Sequence, residues 1–340
     1  MKTILFTEAT NENIEAAAEI IRRGGLLGIP TETVYGLGAD ALNADACRRI
    51  YEAKGRPQDN PLIIHVPDST WLSRYCENVP ESAYRLADEF WPGPLTMILP
   101  KKDAVPYRTT GGLDTVGVRC PNHPVTLAVI RAAGVPVAAP SGNTSGRPSP
   151  TTAADMVEDM DGKIDGIFDG GACSVGVEST IIDLTCEPPR LLRAGGLPLE
   201  ELQRVLGTVL VDRCITQPVA DGEHPRAPGM KYRHYAPKAP VTVVTGGGEK
   251  SADYIARHAK QGAGVICFSE YRALFPGRVI HDLGPEGDKS EQARRVFDAL
   301  REFDVTGVPE IYAQCPDDAG LGLAIGNRLK KAAGFHVVEV

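Results

Sequence analysis

Two basic residues separated by one position form a candidate anion-binding pair in this chain. Lys54 and Arg56 follow a predicted helix over 44–53 and precede Pro57. Residues i and i+2 of an extended segment point the same way, so both cations are expected to face one anion. Arginine supplies a planar bidentate fork and lysine a point charge, a combination that suits a polyphosphate. A lone pair of this kind is more often a solvated loop beside a helix C-terminus, so it needs support from other residues.

A run of small polar residues supplies part of that support. Ser141-Gly142-Asn143-Thr144-Ser145-Gly146 follows a predicted strand over 135–139. At the carboxyl end of a strand, such residues allow backbone amides and hydroxyls to approach a phosphate. The same residue types also form ordinary turns, and this alternative stays open at the level of the segment alone.

Further polar side chains lie at the ends of predicted strands. They are Thr31 and Thr33 after the strand over 26–29, His65 in the strand over 62–66, Arg119 at the end of 116–119 and Arg193 within 190–194. The hydroxyls are suited to holding a small polar substrate or to capping a turn. A histidine in an apolar strand is more often a core residue than a ligand. An arginine beside a buried strand either pairs with a carboxylate or extends its charged end to solvent.

The bulk composition narrows the classes of function. The chain has 340 residues, 42% of them hydrophobic, and a net charge of −8, which argues against a broad nucleic-acid-binding surface. No apolar stretch approaches the ~20 residues of a membrane span, and the N-terminus lacks a secretory apolar region, so a cytoplasmic location is expected. The eight cysteines form no CxxC pair, which favours scattered reduced thiols over zinc ligands or disulfides.

The pattern along the chain divides it into three parts. Helices are predicted over 13–23, 44–53, 82–90 and 125–133, and strands over 26–29, 62–66, 95–99, 116–119, 135–139, 164–169, 179–184 and 190–194. Their irregular order predicts a mixed sheet over residues 1–212. Residues 213–240 are rich in proline, glycine and polar residues and have no apolar periodicity, which is typical of a linker. From residue 241, strands alternate with helices, which predicts a parallel three-layer α/β domain over 241–340.

Known nucleotide motifs are absent or incomplete. Gly246-Gly247-Gly248 follows the strand over 241–245, but the segment reads G-x-G-x-x-S rather than G-x-G-x-x-G. No acidic residue stands at the distance that a dinucleotide fold requires, and no Walker A sequence occurs. Dinucleotide binding by the C-terminal part is therefore not favoured.

The order of the segments resembles a known family. The segments PTETVYGLG (30–38), KGRPQDNPLIIH (54–65), VGVRCPNH (116–123), PSGNTSGRPSP (140–150), VESTIIDL (177–184) and LLRAGG (191–196) resemble the catalytic domain of the YrdC/Sua5 threonylcarbamoyl-AMP synthases. These enzymes open the synthesis of N6-threonylcarbamoyladenosine in tRNA. PGMKYRHYAP (228–237) and a later GLGLAIGNRLKKA (320–332) resemble the long Sua5 subtype, so the resemblance covers nearly the whole chain.

The resemblance implies a fold and a reaction. The expected fold is α/β, with a YrdC-like mixed twisted sheet as the catalytic domain and a smaller parallel, Rossmann-like Sua5 domain. The expected enzyme is a nucleotidyltransferase that forms L-threonylcarbamoyl-AMP and pyrophosphate from L-threonine, bicarbonate and ATP. Magnesium is expected on the triphosphate, with few protein ligands. The product would pass to the tRNA threonylcarbamoyl transferase complex, without stable tRNA binding and without a membrane.

The resemblance also assigns residues. It implies the catalytic set Lys54, Arg56, Ser141 and Asn143. It implies that threonine is held by Thr33, His65, Arg119, Ala139 and Ser179, and ATP by Arg56, Asn60, Thr115, Ser141, Ser149, Arg193 and Tyr235. Since Tyr235 belongs to the segment 213–240, that linker is expected to act as a lid over the site.

Two other classes remain open at this point. An RNA-binding module would use a concave cationic surface and show salt-sensitive tRNA affinity without ATP turnover. A carbamoyl transferase of the hydrogenase-maturation type contains a similar domain, but such chains add acylphosphatase and zinc-finger segments, and this chain has no CxxC. The sequence leaves open the role of the C-terminal domain, the oligomeric state and the extent of linker motion.

Overall fold

The computed structural model describes residues 2–217, 227–228 and 235–340. Residues 218–226 and 229–234 of the expected lid, which include Lys231 and Arg233, lie outside the described residues, whereas Tyr235 lies within them. The strands are β1 (Ile4–Phe6), β2 (Leu27–Ile29), β3 (Gly36–Asp40), β4 (Ile63–His65), β5 (Leu95–Pro100), β6 (Thr115–Arg119), β7 (Val137–Ala138), β8 (Gly166–Phe168), β9 (Thr180–Asp183), β10 (Arg190–Arg193), β11 (Leu210–Val211), β12 (Val241–Thr245), β13 (Gly264–Cys267), β14 (Val279–Asp282), β15 (Ile311–Gln314) and β16 (Val337–Glu339).

The helices complete the list of elements. They are α1 (Asn11–Arg22), α2 (Ala44–Lys54), α3 (Leu72–Tyr75), α4 (Glu81–Phe90), α5 (Tyr107–Thr110), α6 (Pro124–Ala133), α7 (Ala153–Met160), α8 (Leu199–Leu206), α9 (Gly248–His258), α10 (Lys289–Thr306) and α11 (Gly322–Ala332). Short 3-10 turns occur at Ser69–Trp71, Arg213–Ile215 and Ser269–Leu274.

The first sheet is large and mixed. In the described part of the chain, its eleven strands follow the order β1-β8-β2-β3-β7-β4-β6-β5-β9-β10-β11. Strands β4 and β6 run parallel, and β7 lies antiparallel to β4 on its other side. This register places His65 beside both Arg119 and Val137 in one row across the sheet. Polar residues that are far apart in sequence therefore share one face.

The second sheet is smaller and fully parallel. Its five strands follow the order β14-β13-β15-β12-β16. Helix α9 packs on one face, against Val244 and Val265, while α10 and α11 pack on the other face, against Val243 and Ile266. The large mixed sheet and the smaller parallel one confirm the expected fold class.

The residues at the two ends of helix α2 determine where Lys54 lies. The Asn43 side chain accepts hydrogen bonds from the backbone N–H groups of Asp45 and Ala46 and thereby caps the helix N-terminus. The helix ends at Gly55, which adopts a left-handed conformation with φ +62°. Glycine takes this conformation without a steric penalty, so the chain turns sharply after Lys54.

Some elements were missed by the sequence pattern. Strand β3 contains two glycines, which have low strand propensity, but it is paired on both sides, with β2 and β7. Tertiary pairing thus overrides local propensity. Helix α7 does carry a signal that was overlooked, because Thr152 and Asp155 form a reciprocal capping box at its start.

The two sheets share one core. A single cluster of buried apolar side chains extends from the first sheet through α10 and α11 to the second sheet. The layer formed by α10 and α11 therefore lies against the first domain. The division into residues 1–212, 213–240 and 241–340 stays a prediction, since packing alone does not define where independently folding units begin.

Candidate active site

One pocket brings together most of the residues that the sequence singled out. It is lined by Lys54, Arg56, His65, Arg119, Ala139, Ser141, Asn143, Ser179, Arg193 and Tyr235, together with Thr31, Val34, Ile63, Glu178, Pro228 and a few small neighbours. These residues come from the end of α2, the strands β4, β6 and β10, the loops after β2 and β7, the residues before β9, and the linker. The apolar members supply a wall beside the charged ones.

Four of the expected site residues do not line this pocket. Thr33 lies directly behind the wall, where its hydroxyl is 2.8 Å from that of Thr31. The carbonyl of Asn60 accepts a hydrogen bond from Arg56 Nε at 3.4 Å. Thr115 begins β6, at the opposite end of the strand from Arg119. Ser149 is fully buried and donates to a Glu178 carboxylate oxygen at 2.7 Å.

Lys54 is part of the protein interior rather than a solvated loop. Its side chain is buried, and Nζ donates to the backbone carbonyls of Ser141 and Asn143. Burial, followed by the nearby Arg56 charge, holds the pKa of Lys54 well below its usual value. The lysine and the small-residue loop therefore form one structural unit.

Arg56 lines the same pocket, but the backbone conformation that places it there differs from the expected one. The expectation of an extended segment at Lys54 and Arg56 is wrong, because Lys54 is the last helical residue and Gly55 is left-handed. Arg56 Nη2 donates to the carbonyl of Pro61 at 3.1 Å. A helix-ending turn, not strand geometry, brings the two cations to one pocket.

Glu32 and Arg119 form a buried ion pair at the pocket. Arg119 Nη2 lies 2.8 Å from Glu32 Oε1, and both side chains are 5% exposed. The other Glu32 oxygen accepts the backbone N–H of Asn122 at 3.0 Å. A carboxylate partner for Arg119 is expected from the sequence, but Glu32, the one carboxylate in PTETVYGLG, was not identified as that partner.

His65 is a neutral imidazole at ordinary pH. Burial and the adjacent Arg119 charge lower the pKa of His65 to about 3. Its Nδ1 lies 3.3 Å from the carbonyl of Val137. A neutral imidazole with one nitrogen directed at the backbone is suited to hydrogen bonding a polar substrate group, not to charge stabilisation.

Glu178 was not identified from the sequence as a site residue, although the nearby Ser179 and Arg193 were. Arg193 Nε donates to the Ser179 carbonyl at 3.0 Å, and Arg193 Nη2 donates to the Ser179 hydroxyl at 3.1 Å. Burial by itself would raise the pKa of Glu178, but Arg328, Arg193 and the Ser149 hydroxyl together lower this pKa to about 2. Glu178 is therefore a carboxylate. It lies within VESTIIDL, whereas no local signal connects it to Arg328, 150 positions away.

The described ends of the linker contribute to the pocket wall. Arg193 Nη1 donates to the carbonyl of Pro228 at 3.3 Å. Tyr235 has a positive φ of 65°, which is rare for a residue with a side chain, and its ring centroid lies 5.0 Å from that of Phe297. The segment thus touches both the pocket and α10.

No group of three or more histidine, cysteine, aspartate or glutamate side chains within the described residues is arranged to hold a metal ion. The carboxylates that line the pocket or pair with its cations, Glu32 and Glu178, are each already bound to an arginine. A magnesium ion held mainly by phosphate oxygens and water fits this donor set. All eight cysteines are unpaired, as predicted.

A second cleft of about 550 Å³ lies at the carboxyl edge of the second sheet. The N–H of Gly248, at the start of α9, donates to Glu286 at 2.9 Å, and Asp317, Asp318 and Glu339 also line the cleft. A phosphate at this helix N-terminus would have to displace the Glu286 carboxylate.

Across the described residues, the helices are too short or too polar to cross a membrane.

The sequence and the fold match those of a known class of protein. Residues 19–195 match the Sua5, YciO and YrdC family model, described as "Telomere recombination", and residues 197–334 match the model of the threonylcarbamoyl-AMP synthase C-terminal domain. The threonylcarbamoyl-AMP synthase of Pyrococcus abyssi is 49% identical over 96% of both chains, and that of Bacillus subtilis is 45% identical over 97% of this chain and 96% of its own. The solved structure of P. abyssi Sua5 complexed with L-threonine is 47% identical and covers 100% of both chains with a TM-score of 0.92.

The chain therefore belongs to the threonylcarbamoyl-AMP synthase family and has the long, two-domain Sua5 form.

Proposed function

We infer that the protein joins L-threonine, bicarbonate and ATP to give L-threonylcarbamoyl-AMP and pyrophosphate, the first step of N6-threonylcarbamoyladenosine formation in tRNA. The observation that carries this inference is a single pocket that unites Lys54, Ser141 and Asn143 with His65 and Arg119. The family membership over nearly the full length supports it.

The proposed chemistry needs positioning and charge neutralisation. The threonine amine and bicarbonate form a carbamate with loss of water, and a carbamate oxygen attacks the α-phosphorus of ATP as the bond to pyrophosphate breaks. Phosphoryl and nucleotidyl transfers of this kind depend on fixed cations more than on a covalent nucleophile. Lys54, Arg56 and Arg193 are the pocket cations suited to this task.

At the amino-acid end, Arg119 is suited to the threonine carboxylate through a charge-assisted hydrogen bond. His65, being neutral, is suited to a hydroxyl or amino group. Val34, Ile63 and Ala139 line the pocket and offer apolar contact for the threonine methyl. A fitted methyl group contributes about 1–3 kcal/mol, which sets the expected preference over serine.

ATP with magnesium requires the pocket to open. The cavity volume is about 50 Å³, which is enough for a few water molecules and smaller than a nucleotide. Pro228 and Tyr235 form part of the wall, so movement of the segment 213–240 is the proposed route of entry. Closure of that segment over the product would exclude water from the labile adenylate.

The product is proposed to pass to the tRNA threonylcarbamoyl transferase complex in the cytoplasm. The net charge of −8 supports a protein that delivers a small molecule instead of holding tRNA.

Pyrophosphate release from ATP tests the proposal. Release should require both L-threonine and bicarbonate, and serine should support it about 10–200-fold less well in kcat/KM. Equal release with serine, or release without an amino acid, would contradict the proposed substrate. Salt-sensitive tRNA affinity together with no turnover would instead support an RNA-binding module.

A further inference from the structure

Arg328 belongs to the second domain but lies entirely inside the protein, against the catalytic domain. It extends from α11 and its side chain is 0% exposed. Its Nε donates to Glu178 Oε2 at 3.0 Å, and its Nη2 lies 2.9 Å from the same oxygen. Its Nη1 donates to the carbonyl of Ala194.

The contacts of Arg328 with Glu178 and Ala194 lead directly to residues expected to hold ATP. The second oxygen of Glu178 accepts the Ser149 hydroxyl at 2.7 Å, and Glu178 itself lines the pocket. Ala194 is the chain neighbour of Arg193, whose guanidinium also lines the pocket. One guanidinium from the second domain thus fixes a carboxylate and a backbone carbonyl on two adjacent segments of the site.

A second arginine from the same helical layer holds the other end of this region. Arg301, on α10, donates through Nη2 to the carbonyl of Pro148 at 2.7 Å and to Asp159 at 2.6 Å. Pro148 immediately precedes Ser149. The segment that carries Ser141, Asn143 and Ser149 is therefore held from behind by the second domain.

Loss of Arg328 would affect the site because its partner, Glu178, is a buried carboxylate. A buried charge that loses its partner must move, acquire a proton or draw in water, because an isolated ion is strongly disfavoured in the interior. Without Arg328, Glu178 would retain Arg193 as the other cation affecting its pKa. Movement toward Arg193 would withdraw the carboxylate from Ser149 and alter two ATP-site residues at once.

We propose that Arg328 is a positioning residue for the nucleotide half of the active site, acting through Glu178 on Ser149 and through Ala194 on Arg193. The catalytic domain alone then lacks part of the frame of its own ATP site, and the second domain supplies it. This inference rests on the proposed function, since it deepens the account of the same pocket.

The test compares ligand affinities in the full-length protein. ATP and L-threonine dissociation constants are measured by calorimetry for the unaltered protein, Arg328→Met and Arg328→Lys, and KM for each substrate by pyrophosphate release. Arg328→Met should weaken ATP binding about 10–100-fold and leave threonine affinity within twofold. Lysine keeps the charge but lacks the planar fork of arginine, so the ATP affinity of Arg328→Lys should lie between those of the unaltered protein and Arg328→Met. Arg278→Met is the matched control, because Arg278 bonds only to carbonyls within the second domain among its described contacts, and it should leave both affinities unchanged.

A double variant tests whether Arg328 affects ATP binding through Glu178. If Arg328 acts through Glu178, the loss in Arg328→Met/Glu178→Gln should be smaller than the sum of the two single losses. Additive losses, equal weakening of ATP and threonine, or unchanged ATP affinity in Arg328→Met would overturn the inference. Should Arg328→Met fail to fold, unchanged ATP affinity in Arg328→Lys would overturn it equally. Failure of the proposed reaction would look different, because the unaltered protein would then release no threonine-dependent pyrophosphate.

Discussion

Binding of ATP should draw a proton onto Lys54. In the unliganded pocket Nζ is buried, its pKa is well below the usual value, and it faces the positive charges of Arg56 and Arg301 as well as the carboxylate of Asp159. A phosphate charge about 4 Å away, at an effective dielectric constant of about 20, stabilises an ammonium by about 4 kcal/mol. At about 1.4 kcal/mol per unit, that is a rise of about 3 units in the pKa of Lys54.

Calorimetry in buffers of different ionisation enthalpy measures this proton directly. Uptake should approach one proton per nucleotide at a pH between the free and bound pKa values, and ATP affinity should fall as pH rises through that window. Lys54→Met should abolish the uptake and lower turnover by about 10²-fold. Lys101→Met removes a buried lysine outside the pocket, so this variant should retain the proton uptake. Identical binding enthalpies in all buffers, or undiminished uptake in Lys54→Met, would refute the reasoning.

Three further predictions concern the pocket and its cover. Arg56→Ala should lower turnover by about 10²-fold, because it removes a cation from the pocket. Arg48→Ala, on the exposed face of α2, is the control and should turn over normally. A near-normal rate in Arg56→Ala would assign Arg56 to a solvated loop. Arg119→Ala should chiefly weaken threonine binding, measured by calorimetry, and an unchanged affinity would exclude a carboxylate-binding role. Trypsin should cut the free protein near Lys231 and Arg233 and cut more slowly with ATP and threonine present, whereas equal rates would make the segment a spacer.

The depressed pKa of Lys54 also has a consequence for stability. Its folded value lies below the ordinary value of 10.5, so the unfolded chain binds more protons. Stability should therefore rise with pH between the folded value and 10.5, and Lys54→Met should lack that slope. Urea unfolding of both proteins at several pH values measures the difference. The same slope in both would show that Lys54 carries its charge in the fold.

Much of the fold was predictable because its signals are local. Helices α2, α4 and α6 and strands β5 and β12 follow apolar periodicity and end at proline or glycine, so their positions differ from expectation by only a residue or two. Strand β3 was not predictable in this way, because its glycines disfavour a strand and only its two neighbours enforce one.

The site shows the same division between local and long-range information. Most of the charged and polar residues that line the pocket lie in motifs that the sequence singled out, although Glu178 was not identified. Their partners were harder to find: Glu32 pairs with Arg119 across 87 positions of sequence, and Arg328 pairs with Glu178 across 150. Composition and spacing show which side chains carry charge, but only the fold shows which buried charges meet.

The buried contacts that α10 and α11 make with the first domain suggest a reason for the presence of the second domain. Tyr235, at the C-terminal side of the linker, packs on Phe297 of α10, the helix that also carries Arg301. The layer of α10 and α11 thus contacts the expected lid, the loop before Ser149 and the carboxylate of Glu178. A domain joined only to deliver a second activity would not require buried arginines in its partner's interior, since each must be matched by a carboxylate or a carbonyl to be tolerated there. The buried arginines of α10 and α11 thus support from behind a pocket that is lined by residues of the catalytic domain and the linker.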